Sequence, residues 1–420
     1  MSFAYAQNNV VGLYGDKLGW VNVVDLKKKF YQLTVNEKYD QIILDLSKVR
    51  LIYPNGVVPL IAEMDRLKNT RGTVIQVIPP KDRETTGYAE RLGWLHYLDP
   101  EKYDFPHGNR YQNFALHSFR NDEELNEVIN GAIGVCLQQL VFADGVPQAF
   151  EWALNEIAGN ILVHAGVKVG WLQVLINKDR HMMSIIVCDS GVGIPHNMKK
   201  VFPEIESDRF LIEHSIKKGI TSNPANGQGN GLAGTVAIAQ ASESSLSIYS
   251  GKGTVYVNGG RIKSQRHFPP TYGTMVDLQF NTEKPIDLPK ALWGHNPINI
   301  FETMYEDEKG DLVFNLHDYA SNFGNRPTGE RIRNLVINLM KQNPGFAVSI
   351  NMSEVGVLSS SFADELFGKL AVKFGILDFS RFVKLIQVNP LCKNIIDVAI
   401  NQRIAQSFDP GQITMVKDFS

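Results

Sequence analysis

The chain is poor in cysteine. Its three, Cys136, Cys188 and Cys392, lie far apart and form no CxxC pair. This argues against a zinc site or a disulfide framework, and it suits a reducing cytoplasm. Long apolar runs are missing too. None approaches the roughly 18 residues that a membrane-spanning helix needs, so no membrane association is expected. The opening MSFAYAQNNV has neither the basic start nor the apolar core of a signal peptide. Charge of one sign is not in excess: Lys and Arg number 42, Asp and Glu 44. A net charge of −2 gives no electrostatic case for nucleic acid, and none is expected as a partner.

What is present is the composition of a soluble globular protein, 44% hydrophobic and 20% charged. At 420 residues, two or three domains are expected. From about 10 to 105, strand and helix signals alternate. QIILDL at 41–46 has strand length. The turn Tyr53-Pro54-Asn55-Gly56 follows, with Asn55 a candidate helix cap, and then a helical pattern over 57–68. TVIQVI at 73–78 reads as a β-branched strand stopped by Pro79-Pro80. Together they suggest a βαβ unit. The pattern weakens between 82 and 121 and reads as a connection. An amphipathic helix is predicted over 121–140.

The stretch WALNEIAGNILVHA at 152–165 reads as one helix. Glu156, Asn160 and His164 recur every fourth residue and share one face. A carboxylate there can polarise a water or hydroxyl, and a carboxamide one turn on offers an oxygen to Mg²⁺. The same spacing also occurs on ordinary solvated helix faces. Strands are predicted at 171–176 and 183–188. The second runs into Asp189-Ser190-Gly191-Val192-Gly193, where an Asp at a strand end can accept a hydrogen bond from an amino group. The glycines let backbone approach a flat ligand, although DxGxG also makes ordinary turns. Later comes Asn226-Gly227-Gln228-Gly229-Asn230-Gly231-Leu232, opening a helical pattern. Such a turn presents N–H groups to an anion. It is neither a Rossmann fingerprint nor a Walker loop. Gly273-Thr274 then opens the strand TMVDLQF.

That series, in that order, resembles the ATP-binding domain of the GHKL superfamily (gyrase, heat-shock chaperone, histidine kinase, MutL) over about residues 121–282. The resemblance implies a Bergerat α/β sandwich, a mixed sheet with helices on one face, and ATP and Mg²⁺ as ligands. It implies Glu156 as catalytic base and Asn160 as the Mg²⁺ ligand. Asp189 would bind the adenine amino group, and Gly191 and Gly193 would shape its pocket. Gly227, Gly229, Gly231 and Leu232 would line the phosphates, and Thr274 would support the adenine end. A polar lid is expected over 196–226. In it Lys217 or Lys218 either reaches a phosphate or is a solvated charge. His164 either touches the phosphates or completes the helix face. His117-Ser118-Phe119-Arg120 lacks the acidic residue of a histidine-kinase phosphoacceptor box, and the NxxxH spacing is more like the anti-sigma-factor serine kinases.

The flanks carry a repeat. The segment IILDLSKVRLIYPNGVVPLIAEMDRLKNTRG resembles a STAS domain, but the place of its phosphorylatable hydroxyl is held by Pro54-Asn55-Gly56. Residues 283–300, with three prolines, read as a linker. Beyond it a second α/β pattern is predicted: helix 331–342, strand 346–352, helix 361–374, strand 381–388 and helix 395–404. Sliding the chain by 306 places (47 onto 353) aligns Ser47 with Ser353, Val49 with Val355 and Leu60 with Leu366, and brings Asn55 onto Ser361. This segment resembles the STAS-like domain of unknown function found beside GHKL domains. Ser359, Ser360 and Ser361 are candidate phosphoacceptors, while Ser361 with Asp364 also makes a capping box.

The fold expectation is α/β: STAS-like at 1–110, GHKL at 118–284, STAS-like at 298–420. The resemblance implies an ATP/Mg-binding regulatory protein like a fused partner-switching module, with an ATPase or serine kinase activity. An ATPase switch or a non-catalytic nucleotide sensor is the alternative. A regulatory protein partner is implied, and a homodimer is compatible with it.

Overall fold

The computed structural model describes residues 2–106, 113–166, 169–221, 230–297, 304–307, 309–320 and 322–407. The fold is mixed α/β, in two compact units: Met1–Val135 with Val146–Pro297, and Cys136–Gly145 with Ile298–Ser420. Among the described residues no helix is long and apolar enough to cross a membrane.

The first unit opens with a four-stranded sheet in the order Ala4–Gln7, Val10–Leu13, Gln41–Asp45, Val74–Ile78. The first pair is antiparallel and the others are parallel, so helices must cross between them. They are Trp20–Tyr31 and Pro54–Arg71. The second of these starts on Pro54, whose missing N–H is harmless in a first turn, and stops at Gly72 in the left-handed region. Its N-cap is Tyr53, not the expected Asn55.

A five-stranded sheet follows, in the order Ser245–Asn258, Arg261–Asn281, Met182–Asp189, Gly170–Asn177, Phe114–Phe119. Every neighbouring pair is antiparallel, which corrects the mixed sheet expected from the resemblance. Both faces are covered. In Met182–Asp189, Met183, Ile185 and Val187 point to one side, and Ile186 and Cys188 join the hydrophobic core of the N-terminal elements on the other. That is why residues 185–188 read as a continuous apolar run rather than an alternation. The N-terminal elements and this sheet therefore share one core. Polar pairs stitch the seam. Asn55 Nδ2 donates to Asp277 Oδ2 at 3.1 Å, and Trp94 Nε1 donates to Gln173 Oε1 at 2.8 Å. Arg66 lies 4.0 Å over the Tyr272 ring.

Residues 82–121 are more than a connection. They hold the helices Arg83–Arg91 and Trp94–Leu98 and the edge strand Phe114–Phe119. Asp82 caps the first helix by accepting the Thr85 N–H at 2.9 Å. Left-handed Gly93 separates the two helices and breaks the apolar period that would have announced them.

The second unit holds three parallel strands, Leu312–Asn315, Val348–Asn351 and Val383–Ile386, crossed by the helix Arg326–Gln342. Val383–Ile386 is shorter than predicted because the helix Ile376–Phe382 takes its beginning. Helix Arg326–Gln342 grips the segment Cys136–Gly145 through buried Asn338. Its side chain donates to the carbonyls of Leu137 at 2.9 Å and Leu140 at 2.7 Å, and accepts the Phe142 N–H at 2.9 Å.

The repeat holds in atomic detail. Asp45 accepts the Ser47 N–H at 2.9 Å, as Asn351 accepts that of Ser353 at 3.0 Å. Tyr53 and Ser359 are N-caps of the equivalent helices, and Leu60 and Leu366 are both fully buried.

Candidate functional site

The helix Val146–His164 buries Ala149, Phe150, Ala153, Leu154, Ile157 and Ala158, as its apolar positions dictate. Its other face, with half-buried Glu156, Asn160 and His164, looks into a cavity of about 610 Å³. Asp189, Gly193 and Thr274 line the sheet side of that cavity, and Gly231 and Leu232 line it where the helix Gly231–Ala241 begins. Residues far apart in the chain thus share one space.

Asp189 is the best-defined group. It ends a buried strand and is 2% exposed. One carboxylate oxygen accepts the Gly191 N–H at 2.7 Å, the other the Thr274 N–H at 3.1 Å. Burial pushes its carboxyl up to about 6 against these two hydrogen bonds, which favour the charged form. Each oxygen keeps a lone pair, so the group can accept from a donor in the cavity.

The turns around it demand glycine. Gly193 and Gly273 have φ of 78° and 74°. A Cβ on Gly273 would strike the Asp189 carbonyl, and one on Gly193 would strike Ser250. Ser250, wholly buried, accepts the Ile194 N–H at 2.9 Å and donates to the Gly273 carbonyl at 2.8 Å. It ties the two turns together, and no local sequence signal marks it.

On the opposite wall, burial raises the Glu156 carboxyl above its usual range, and the charge of His295 opposes the shift. A Cβ on Gly231 would run into the Glu156 carboxylate, so this glycine is what lets the helix start approach Glu156. Burial holds His164 below the ordinary imidazole range, which keeps it neutral near pH 7. Its carbonyl accepts from Asn197 Nδ2 at 2.7 Å.

Not every expected residue reaches the cavity. Gly191 packs against the Ala165 carbonyl instead, where any side chain would clash. Lys217 is exposed and is not among the described lining residues. Lys218 Nζ lies 4.8 Å over the Trp293 ring. Gly227 and Gly229 lie outside the described residues, as do Asn226 and Ser222. The expected lid takes in most of the helix Gly193–Val201 and all of Asp208–Ser215. Trp152, Leu292, Trp293 and His295 line the cavity with no motif to mark them, the last three from the stretch that reads as a linker.

In the second unit Ser359, not Ser361, caps its helix. It accepts the Phe362 N–H at 3.0 Å while its own N–H donates to the Phe323 carbonyl at 3.0 Å. Asp364 is not a capping partner: Arg403 and Arg326 hold it, and Arg403 keeps its carboxyl below the usual range. Ser360 and Ser361 are exposed.

Residues 328–391 match the family model of a STAS-like domain of unknown function (DUF4325). The matched stretch takes in the strand Val348–Asn351, the serine turn and the strand Val383–Ile386. Comparison with curated proteins and with solved structures finds no match to the chain.

Proposed function

We propose that the cavity binds ATP with Mg²⁺, and that the chain is a regulatory protein joining a GHKL-type nucleotide domain to STAS-like modules at both ends. The observation that carries this reading is Asp189. A buried carboxylate with both oxygens already oriented by backbone N–H groups, in the lining of a cavity, suits the amino group of an adenine. Glu156 and Asn160 stand one helical turn apart where the glycine-rich helix start would bring the phosphates. The donor set agrees with Mg²⁺. Among the described residues no three His, Cys, Asp or Glu side chains gather to hold a metal alone. An ion held by Asn160 and by phosphate oxygens is the common arrangement for Mg²⁺ in nucleotide sites.

Glu156 is then the general base. Its raised carboxyl brings it closer to the pH at which it must accept a proton. The proton comes from a water, giving an ATPase switch, or from a serine, giving a kinase that acts on a STAS-like module or a partner. Ser360 and Ser361 are the acceptors this reading favours, because the Ser359 hydroxyl is engaged in its cap.

Incubation with γ-labelled ATP and Mg²⁺ separates the outcomes. Label kept on the protein and lost in Ser360→Ala/Ser361→Ala supports transfer to serine. Free phosphate without labelled protein, abolished by Glu156→Ala, supports the ATPase. Calorimetry that detects no ATP binding to the full chain rejects the proposal as a whole.

A further inference from the structure

The stretch 287–297 does something a linker need not do. Asp287 caps a short turn by accepting the Lys290 N–H at 3.1 Å, and Leu288 and Leu292 are buried. Leu292 sits against the helix Gly231–Ala241 so closely that a Cβ on Gly234 would strike both it and Trp152. Anchored there, the chain turns back through Trp293 at φ 55° and Gly294 at φ 92°. A left-handed tryptophan is uncommon, and such strain persists where the surroundings impose it. The turn brings Trp293 and His295 to the wall of the cavity beside Glu156 and Gly231. Trp293 also takes Lys218 over its ring at 4.8 Å, a cation–π contact that ties the end of the expected lid to this turn. A plain connection would need neither the two buried leucine anchors nor the left-handed residue.

Resting on the ATP reading of the cavity, we propose that residues 287–297 form a clasp over its phosphate end: His295 contacts a phosphate oxygen of the ligand, and Trp293 holds Lys218 above the same end. The clasp is continuous in sequence with the second unit, which resumes at Ile298.

The test is calorimetry on the full chain with two probes, MgATP and adenosine, for the wild type, His295→Ala and Trp293→Ala. Both side chains are exposed enough for the variants to fold, which unchanged melting temperatures would verify. His295→Ala is expected to lose about tenfold in MgATP affinity, the worth of one hydrogen bond to a charged group, and Trp293→Ala to weaken MgATP through the release of Lys218, both with adenosine affinity unchanged. If a variant binds both probes as the wild type does, or loses both equally, the clasp is wrong and the ATP reading survives. A wild type that binds neither probe overturns the ATP reading and the clasp with it.

Discussion

Replacing Asp189 by asparagine probes the site and its electrostatics at once. In the folded chain this carboxyl titrates at about 6, against 3.8 for the unperturbed group. The folded state therefore holds its proton more tightly than the unfolded state does. The resulting penalty is absent at low pH, grows as pH rises from about 4 to about 6, and levels above that. At 1.36 kcal/mol per pK unit it comes to about 3 kcal/mol at neutral pH. An asparagine cannot ionise, so the Asp189→Asn variant escapes the penalty. It has, however, a single acceptor oxygen for the two N–H groups of Gly191 and Thr274. One buried donor loses its partner, which costs about 1–3 kcal/mol at every pH. The variant should thus be less stable than the wild type by about 1–3 kcal/mol near pH 4, and equal to it or slightly more stable at pH 7.5. Urea unfolding followed by tryptophan fluorescence reads the first unit alone, because all five tryptophans, Trp20, Trp94, Trp152, Trp171 and Trp293, belong to it. For the ligand the sign is opposite. If the proposed ATP reading holds, wild-type ATP affinity is flat above pH 7 and about tenfold weaker at pH 5, where roughly one carboxyl in eleven is ionised. Loss of the charged acceptor should weaken binding by about 10- to 150-fold at pH 7.5. Wild-type and variant stabilities that stay parallel between pH 4 and pH 7.5 would refute a raised Asp189 carboxyl in the folded chain.

Gly231→Ala drives a methyl group into the Glu156 carboxylate. Under the proposed ATP reading, turnover should fall sharply, while the melting temperature stays within a few degrees because Ala is worth about 0.5–1 kcal/mol more than Gly in a helix. Asn55→Ala leaves Asp277, nine-tenths buried, with Gln279 as its remaining side-chain donor. A loss of about 1–3 kcal/mol is expected in the fluorescence-detected unfolding, and Asn55→Asp should be worse because two carboxylates then face each other. Asn338→Ala removes three hydrogen bonds to the segment Cys136–Gly145. Leaving those buried backbone groups unpaired should cost about 3 kcal/mol or more, read as faster proteolytic cleavage near residue 140.

Much of the candidate site was legible because its signals are local. A glycine required by a left-handed φ or a close backbone approach leaves its mark at one position, as at Gly193, Gly231 and Gly273. The apolar run before Asp189 announced a strand there; that both its faces are covered came from the structure. What could not be read depended on contacts between distant residues. Strand direction is decided by pairing across the sheet, so the antiparallel order was out of reach. Trp293 and His295 reach the cavity only because Leu288 and Leu292 find a place against another helix. Among three consecutive serines all can cap; Ser359 does so because the Phe323 carbonyl takes its N–H. Trp94 is wholly buried, yet Gly93 interrupts the pattern on either side of it.

The two copies of the repeat do not have equal freedom to change. At the N-terminal helix start, Asn55 answers to its own helix and also to Asp277 on a strand of the neighbouring sheet. A substitution there must satisfy two structures at once. Across a lineage of such chains, positions 55, 277 and 279 should therefore drift slowly and together. Ser360 and Ser361 carry no such double duty: they are exposed, and their helix is capped by the residue before them. Folding leaves their identity open. If they stay serine while their surroundings vary, the constraint comes from chemistry rather than architecture.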